Sequence, residues 1–288
     1  MEFSIIVPTI NRDKEVKDLL NSLEKSTFQD FEIIIVDQNK SDLLDDIVSG
    51  FESLDIKHYK VNFSGVSRAR NFGQSKSKGK IINFADDDAE FTENLLGSVS
   101  NKFKQTTFDV LFGKAIDKRT KTSSGTKFTN QPGIVNRYNL YNTTIEFTMF
   151  LKKDIFKEVG GFDETLGVGT EYGAEEGADF VLRCLALDLK LVYDPTILFY
   201  HPQKIFEFSE KERIRGFNYA KGFGRMVAKH VLTYKEYFEL LRFIKTQIKS
   251  SIGLILFIFL LKKNKVKYYW ACIKGRHLGF FRSLKDYR

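Results

Sequence analysis

Short apolar runs alternate with helix-spaced apolar positions through the first third of the chain. Phe3 to Val7 is an apolar run closed by Pro8 and reads as a buried strand. Asp13 to Lys25 carries Val16, Leu19, Leu20 and Leu23 at helical spacing. Phe31 to Val36 is a second buried strand, closed by Asp37. Asp42 to Ser53 reads as a helix and Ile56 to Val61 as a third strand. Ser67 to Ser77 is small and polar, with Ala69, Phe72 and Gly73 on one face, as in a helix lying close to a sheet. Ile81 to Ala85 is a fourth strand, running into Asp86, Asp87 and Asp88. Strand and helix alternating over short links predict an α/β fold with a parallel sheet between helices.

Beyond residue 90 the pattern loosens. Phe91 to Phe103 reads as a helix, and Asp109 to Ile116 and Thr144 to Phe150 as strands, the latter at an edge. Lys118 to Arg137, rich in Lys, Thr, Ser, Gly and Asn, reads as a mobile loop. Glu175 to Leu187 is helical, and Leu191 to Tyr193 and Thr196 to Tyr200 are two short strands before His201. From Ser209 onward the pattern is helical and basic. Ligands of parallel α/β sheets bind outside the carboxyl ends of the strands. Polar residues gather at those ends here: Thr9, Asn11 and Arg12 after the first strand, Asp37 after the second, and the three aspartates after the fourth.

Composition adds class and partners. At 288 residues, 42% apolar and 14% aromatic, the chain can bury a large core, and its four prolines exclude a proline-rich linker. The net charge of +8 is uneven. Residues 201–288 hold 20 Lys and Arg against 6 Asp and Glu, a net +14, while residues 1–200 are at −6. Such a local excess marks an anionic partner. Cys184 and Cys272 lie far apart with no paired spacing, which argues against a disulfide framework or structural zinc. No charged and apolar leader precedes the first strand, so a cytoplasmic protein is expected.

Four constellations can carry chemistry. Asp86, Asp87 and Asp88 repel one another, and a divalent cation with hard oxygen ligands, Mn²⁺ or Mg²⁺, would relieve them. A solvated acidic turn is the plainer alternative. Gly65 to Gly73 sets Arg68, Arg70 and Asn71 on a helix, and arginine suits phosphates. Gly167 to Arg183 joins a glycine-rich loop to a helix start with Glu175, Glu176 and Asp179. The helix dipole alone favours acids there, yet a transfer to a hydroxyl also needs a base. His201 closes a strand near the aspartates, where a metal or phosphate role competes with a structural one.

Taken in order, these pieces resemble family 2 glycosyltransferases of the GT-A fold. The likeness runs over residues 1–203: Ser4 to Thr9 with Asn11 and Arg12, Ile35 to Asp37 with Ser41 and Asp42, Gly65 to Gly73, Phe84 to Asp88, Gly160 to Glu164, and Glu175 to Arg183. It implies a Rossmann-like, mostly parallel sheet flanked by helices, with a nucleotide-binding half at 1–90, an acceptor half at 91–205 and a basic helical extension at 206–288. Pro8, Thr9, Asn11 and Arg12 would line the nucleotide pocket, Asp37 would hold the base, and Arg70 and Asn71 would lie near the nucleotide. Asp86 and Asp88 fit the family's Asp-x-Asp motif, with Asp87 between them on the donor side. Asp86 leans to ribose or metal, Asp88 is the principal ligand, and His201 matches a late histidine. The chain departs from the pattern at Gly177, which stands where the family often has its catalytic aspartate. Glu176, Glu175 and Asp179 remain as candidate bases. The resemblance further implies a nucleotide-diphosphate sugar donor (UDP-linked by default), an inverting displacement, and a saccharide or lipid-linked acceptor of polysaccharide assembly.

Ile252 to Leu261 is the longest apolar run, and at ten residues it is shorter than a membrane span. Lys245 and Lys249 precede it; Lys262, Lys263, Lys265, Lys267 and Tyr268 to Trp270 follow. Cations and interfacial aromatics around a short apolar segment predict peripheral binding of 245–288 to the inner face of the cell membrane. Two alternatives compete: a nucleotidyltransferase of similar sheet, and a non-enzymatic binder of membrane or nucleic acid. The first lacks a glycine-rich loop after strand one, and the second leaves the strand-end acids unexplained. No nucleic-acid partner is expected.

Overall fold

The computed structural model describes residues 1–203 and 206–287. The expected boundary at residue 205 therefore lies outside the described residues. In chain order the elements are β1 (Phe3–Thr9), α1 (Lys14–Glu24), β2 (Phe31–Asp37), α2 (Asp45–Ser49), β3 (Ile56–Lys60), α3 (Val66–Lys76), β4 (Ile81–Phe84), β5 (Glu90–Phe91) and α4 (Leu95–Gln105). There follow β6 (Val110–Ile116), β7 (Gly133–Ile134), α5 (Leu140–Thr143), β8 (Met149–Lys152), α6 (Lys153–Val159), α7 (Glu176–Ala186), β9 (Leu191–Tyr200), α8 (Glu210–Thr233), α9 (Tyr237–Phe259) and α10 (Lys263–Ser283). They fall into two compact units: Met1–Phe162 with 183–203, and Asp163–Leu182 with 206–287.

The first unit is built on a nine-stranded sheet of order β3-β2-β1-β4-β8-β6-β9-β5, with β7 also on β9. β3, β2, β1 and β4 are parallel, β8 runs antiparallel between β4 and β6, and β9 is parallel to β6. The carboxyl ends of β1, β2, β4, β6 and β9 therefore share one edge. Every residue of β1 and β2 is buried, which is why they read as unbroken apolar runs. α3 lies against them at Gly73, where a Cβ would strike Ile6. Arg183 donates from both Nη atoms to the carbonyls of Val159 and Gly161, at 2.6 and 2.7 Å, tying α7 to the turn after α6.

Several elements differ from expectation, each for a local reason. The helix expected over Asp42–Ser53 shrinks to α2, because the Asp42 and Asp45 carboxylates turn to Lys60 Nζ and Gly50 closes the turn. The helix expected from Phe91 begins only at Leu95, because Phe91 joins Glu90 in a short strand paired with Phe199 and Tyr200. The strand expected from Thr144 begins only at Met149, and it is interior, not an edge. Residues 146–148 form a 3-10 turn before it, and Asn83 Nδ2 donates to the carbonyls of Phe147 and Met149 at the turn's edge. The two strands expected at 191–200 are one, with a bulge against Gly113, where a Cβ would meet the Ile197 carbonyl at 2.5 Å. Within the tract expected as a loop, Gly133–Ile134 pairs with β9.

The second unit contains α8, α9 and α10. Small residues form the seam between α8 and α10: Gly216, Ala220 and Gly224 face Cys272, Gly275 and Gly279. A Cβ at Gly275 would come within 2.5 Å of the Phe217 carbonyl, so the backbones approach closely.

Candidate active site

The sheet opens at the carboxyl end of β1. Pairing with β4 stops at Ile6–Phe84, whereas pairing with β2 continues to Thr9–Asp37. Past Ile6 one edge of β1 is free, and Pro8 sits there with no N–H to leave unsatisfied. This is the topological switch point of the sheet, the usual ligand crevice of such folds. Thr9 Oγ1 donates to Asp87 Oδ2 at 2.8 Å across the opening. Asn11 adopts φ 56°, a left-handed conformation that asparagine tolerates, and its N–H donates to Asn39 Oδ1 at 2.7 Å. Asn39 in turn donates from N and Nδ2 to Asp37 Oδ1, while Asp37 Oδ2 lies 2.9 Å from His58 Nε2.

The three aspartates after β4 have different surroundings. Asp86 Oδ1 accepts from Arg70 Nη2 at 2.9 Å; Arg70 is 1% exposed and also lies 3.8 Å from Glu146. Asp87 turns inward, where burial pushes its carboxyl up to about 7 despite the Thr9 hydrogen bond. Asp88 Oδ2 is 3.4 Å from Arg12 Nη1, which also holds Glu15, and its Oδ1 is 3.0 Å from His201 Nε2. The His201 ring stacks on Phe147 at 4.8 Å, and its Nδ1 lies 3.0 Å from Ser124 Oγ. Ligand atoms of Asp86, Asp88 and His201 all fall within 4.8 Å of one another.

Ser124 orients that histidine. Its hydroxyl donates to the Pro202 carbonyl at 3.1 Å, so Nδ1–H of His201 donates to Oγ. Nε2 then faces Asp88 Oδ1 at 3.0 Å, and a proton or a cation between them makes that arrangement favourable. Two carboxylates, an imidazole nitrogen and an orienting second hydrogen bond form a donor set that fits a divalent cation.

The family model for glycosyl transferase family 2 matches residues 4–160, more than half of the chain. The chain belongs to glycosyltransferase family 2. Among family relatives, the poly(ribitol-phosphate) β-N-acetylglucosaminyltransferase TarS of Staphylococcus aureus is 31% identical over 40% of this chain and 21% of its own length. GlyG of Streptococcus pneumoniae is 29% identical over 38% of each chain. A glycosyltransferase of Haemophilus influenzae is 30% identical over 63% of this chain and 61% of its own. The chain thus matches between about a fifth and three-fifths of these relatives' lengths. In structure, TarS 1–349 superposes with TM-score 0.60 at 17% identity, covering 96% of this chain and 90% of that one. The mannosyltransferase PcManGT of Pyrobaculum calidifontis, solved with GDP-Man and Mn²⁺, gives 0.63 at 12% identity, covering 98% and 87%. At these identities the likeness shows the fold, which is GT-A.

Within this family 2 chain, the first unit brings together Thr9, Arg12, Arg70, Asp86, Asp87, Asp88 and His201. Arg68 is exposed over the Phe63 ring at 4.3 Å. Asn71 braces the backbone of Phe162, donating to its carbonyl and accepting its N–H, each at 2.9 Å. Glu175, Glu176 and Asp179 belong to the second unit. Asp179 is fully buried, with His230 Nε2 at 2.9 Å and Lys229 Nζ at 2.8 Å on one oxygen. Glu176 is buried at the start of α7, and Glu175 just before it adopts φ 75°. Sequence reading missed Ser124, Asn39, His58 and Glu146. Asn39 alone left a trace, as an Asx residue two positions after a strand-end aspartate.

Proposed function

We propose that this family 2 glycosyltransferase moves a sugar from a nucleotide-diphosphate donor, UDP-linked by default, to a saccharide or lipid-linked saccharide acceptor in cell-surface polysaccharide synthesis. The observation that carries the reading is the Asp86, Asp88 and His201 cluster at the sheet's switch point. TarS, whose structures include complexes with UDP-GlcNAc and with UDP, and PcManGT, seen with GDP-Man and Mn²⁺, support the donor class. In this reading Asp86, Asp88 and His201 hold the metal. The nitrogen ligand favours Mn²⁺ over Mg²⁺, which takes oxygen almost exclusively. A divalent cation bound there supplies counter-charge to the diphosphate leaving group.

The chain's own residues divide the remaining work. Pro8, Thr9, Asn11 and Arg12 shape the floor under the nucleotide, and the Asp37–Asn39 pair fixes the loop that meets the base. Arg70 holds the Asp86 carboxylate in place through its hydrogen bond. Glu176, Glu175 and Asp179 are the candidates to take the acceptor proton, and Asp179 also pairs with Lys229 and His230. Displacement at the anomeric carbon is direct and inverting, with no covalent enzyme intermediate. The protein works on the inner face of the cell membrane, held there by 245–288.

Calorimetric titration of a nucleoside diphosphate panel tests this, with and without Mn²⁺, on wild type and Asp88→Ala. One nucleotide should bind tightly only with Mn²⁺ and only to wild type. Absence of binding to a folded wild-type protein would overturn the reading.

A further inference from the structure

A helix in a soluble domain hides one apolar stripe, yet α9 shows one to solvent. Leu241, Ile244, Ile248, Ile252, Ile255 and Phe259 recur every three or four residues along it and all are exposed, Phe259 at 80%. Their spacing places them on one side of the helix. The opposite side packs within the same unit. Phe243 packs on Phe280 at 5.1 Å, Arg276 donates to Gln247 Oε1 and to Ser250 Oγ, and Gly253 lies against the Tyr269 ring. The stripe is therefore not an inner face left bare by a misplaced helix. It begins some way before the apolar run at Ile252, so most of its length is invisible to a count of consecutive apolar residues.

Charge selects the occupant. From Leu240 to Lys285 the sequence holds eleven Lys and Arg and no Asp or Glu. Lys245 and Lys249 border the stripe and are exposed; Lys262, Lys263 and Lys267 crowd the turn into α10, beside exposed Leu260 and Leu261. A second copy would set these like charges against themselves. An anionic lipid surface accepts both the apolar stripe and its lysine borders, which keep their ammonium groups at headgroup level. No helix among the described residues is long and apolar enough to cross a membrane, so the helix lies along it.

We propose that α9 lies flat in one leaflet of an anionic membrane, its Leu241–Phe259 stripe facing the acyl chains, and that the α9–α10 turn enters with it. This deepens the membrane part of the function proposed above by naming the surface and its orientation. The stripe extends the docking region to Leu241, before the lysine at 245, and leaves α10 as the support of α9 through Tyr269, Arg276 and Phe280.

Co-sedimentation of the full chain with vesicles tests it, using phosphatidylcholine alone and phosphatidylcholine mixed with phosphatidylglycerol. Trp270, the chain's single tryptophan, is exposed near the turn and reports insertion through its emission. We expect sedimentation with the anionic vesicles, weakening as salt rises, with a blue shift of Trp270. Ile248→Asp with Ile255→Asp should reduce the bound fraction by about tenfold or more while circular dichroism stays that of wild type. If the aspartates disturb the helix, Ile248→Ser with Ile255→Ser gives the same comparison. Binding that ignores the stripe variants, or that leaves the emission unmoved, would mean adsorption by charge alone and would overturn the proposal. So would failure to sediment, or a dimer in solution that the stripe variants dissolve. Neither nucleotide nor metal is needed, so failure here leaves the donor-site reading standing, and failure of nucleotide binding leaves this one standing.

Discussion

Ser124 Oγ holds His201 Nδ1 at 3.0 Å and donates its own hydrogen to the Pro202 carbonyl. That single hydroxyl decides which imidazole nitrogen can serve as a ligand. Replacing it frees the ring to carry its hydrogen on Nε2, where it would satisfy Asp88 directly and compete with a cation. Ser124→Ala should therefore weaken Mn²⁺ binding by about 10–100-fold, the usual cost of losing a ligand's orienting partner. Calorimetry of the metal with the nucleotide present measures it, and unchanged affinity would show that Ser124 does not orient a metal ligand. The contrast with the aspartates explains what could be read from sequence. Asp86 and Asp88 stand together directly after an apolar run, so strand and acids announce each other. Ser124 is 77 residues from its partner, inside a polar tract whose composition carries no register. Long-range pairs of ordinary residues leave no periodic trace, whereas a strand end with clustered charge does.

Elements were legible where an unbroken apolar run or a period of 3.6 stood without competition, as in β1, β2 and α1. They were misread where side chains took over backbone duties: Asn83 binding the carbonyls of Phe147 and Met149 where β8 begins, and Asp42 and Asp45 turning to Lys60 in place of a longer helix. The join between α7 and α8 shows how much can rest on such side chains. Lys229 Nζ bridges Asp163 Oδ2 and Asp179 Oδ1, both at 2.8 Å, and His230 shares Asp179. Burial would raise the Asp163 carboxyl, but Lys229 outweighs it and holds the group below its usual value. A depressed carboxyl stabilises the fold above its unfolded pKa, about 3.9, and that share is lost as pH falls through the lower folded value. Lys229→Met leaves the buried Asp179 and the half-buried Asp163 short of a cation and should cost about 3–5 kcal/mol at neutral pH. Below about pH 4, where unfolded aspartates are protonated, the gap to wild type should narrow. Adding Asp179→Asn should cost less than the two single changes together, because the charge left stranded is then gone. Urea unfolding across pH reads all three variants; strictly additive losses would mean that Lys229 and Asp179 do not act as a pair.

Over the whole molecule, two different chemistries are segregated along the chain. The first 200 residues are net acidic and hold the aspartate cluster; the remainder is at +14 and holds the exposed apolar stripe. This division was open to simple counting. The grouping of Asp163–Leu182 with the C-terminal helices was not, since it rests on contacts such as Arg225 to Thr165 and Lys229 to Asp163, between segments about sixty residues apart. Two units with separate cores should answer separate ligands separately. A ligand present at about 100 times its Kd stabilises the folded form by about 2.7 kcal/mol. With Mn²⁺ and UDP, hydrogen exchange should slow at the carboxyl ends of β1, β4 and β9, around Thr9, Asp86 and His201. With anionic vesicles it should slow along α9. Asp88→Ala should abolish the first protection and spare the second, and Ile248→Asp with Ile255→Asp should do the reverse. Protection of α9 by nucleotide would instead mean that donor binding and membrane docking share free energy. Membrane binding would then tighten the nucleotide by the same factor, because coupling between two sites is reciprocal.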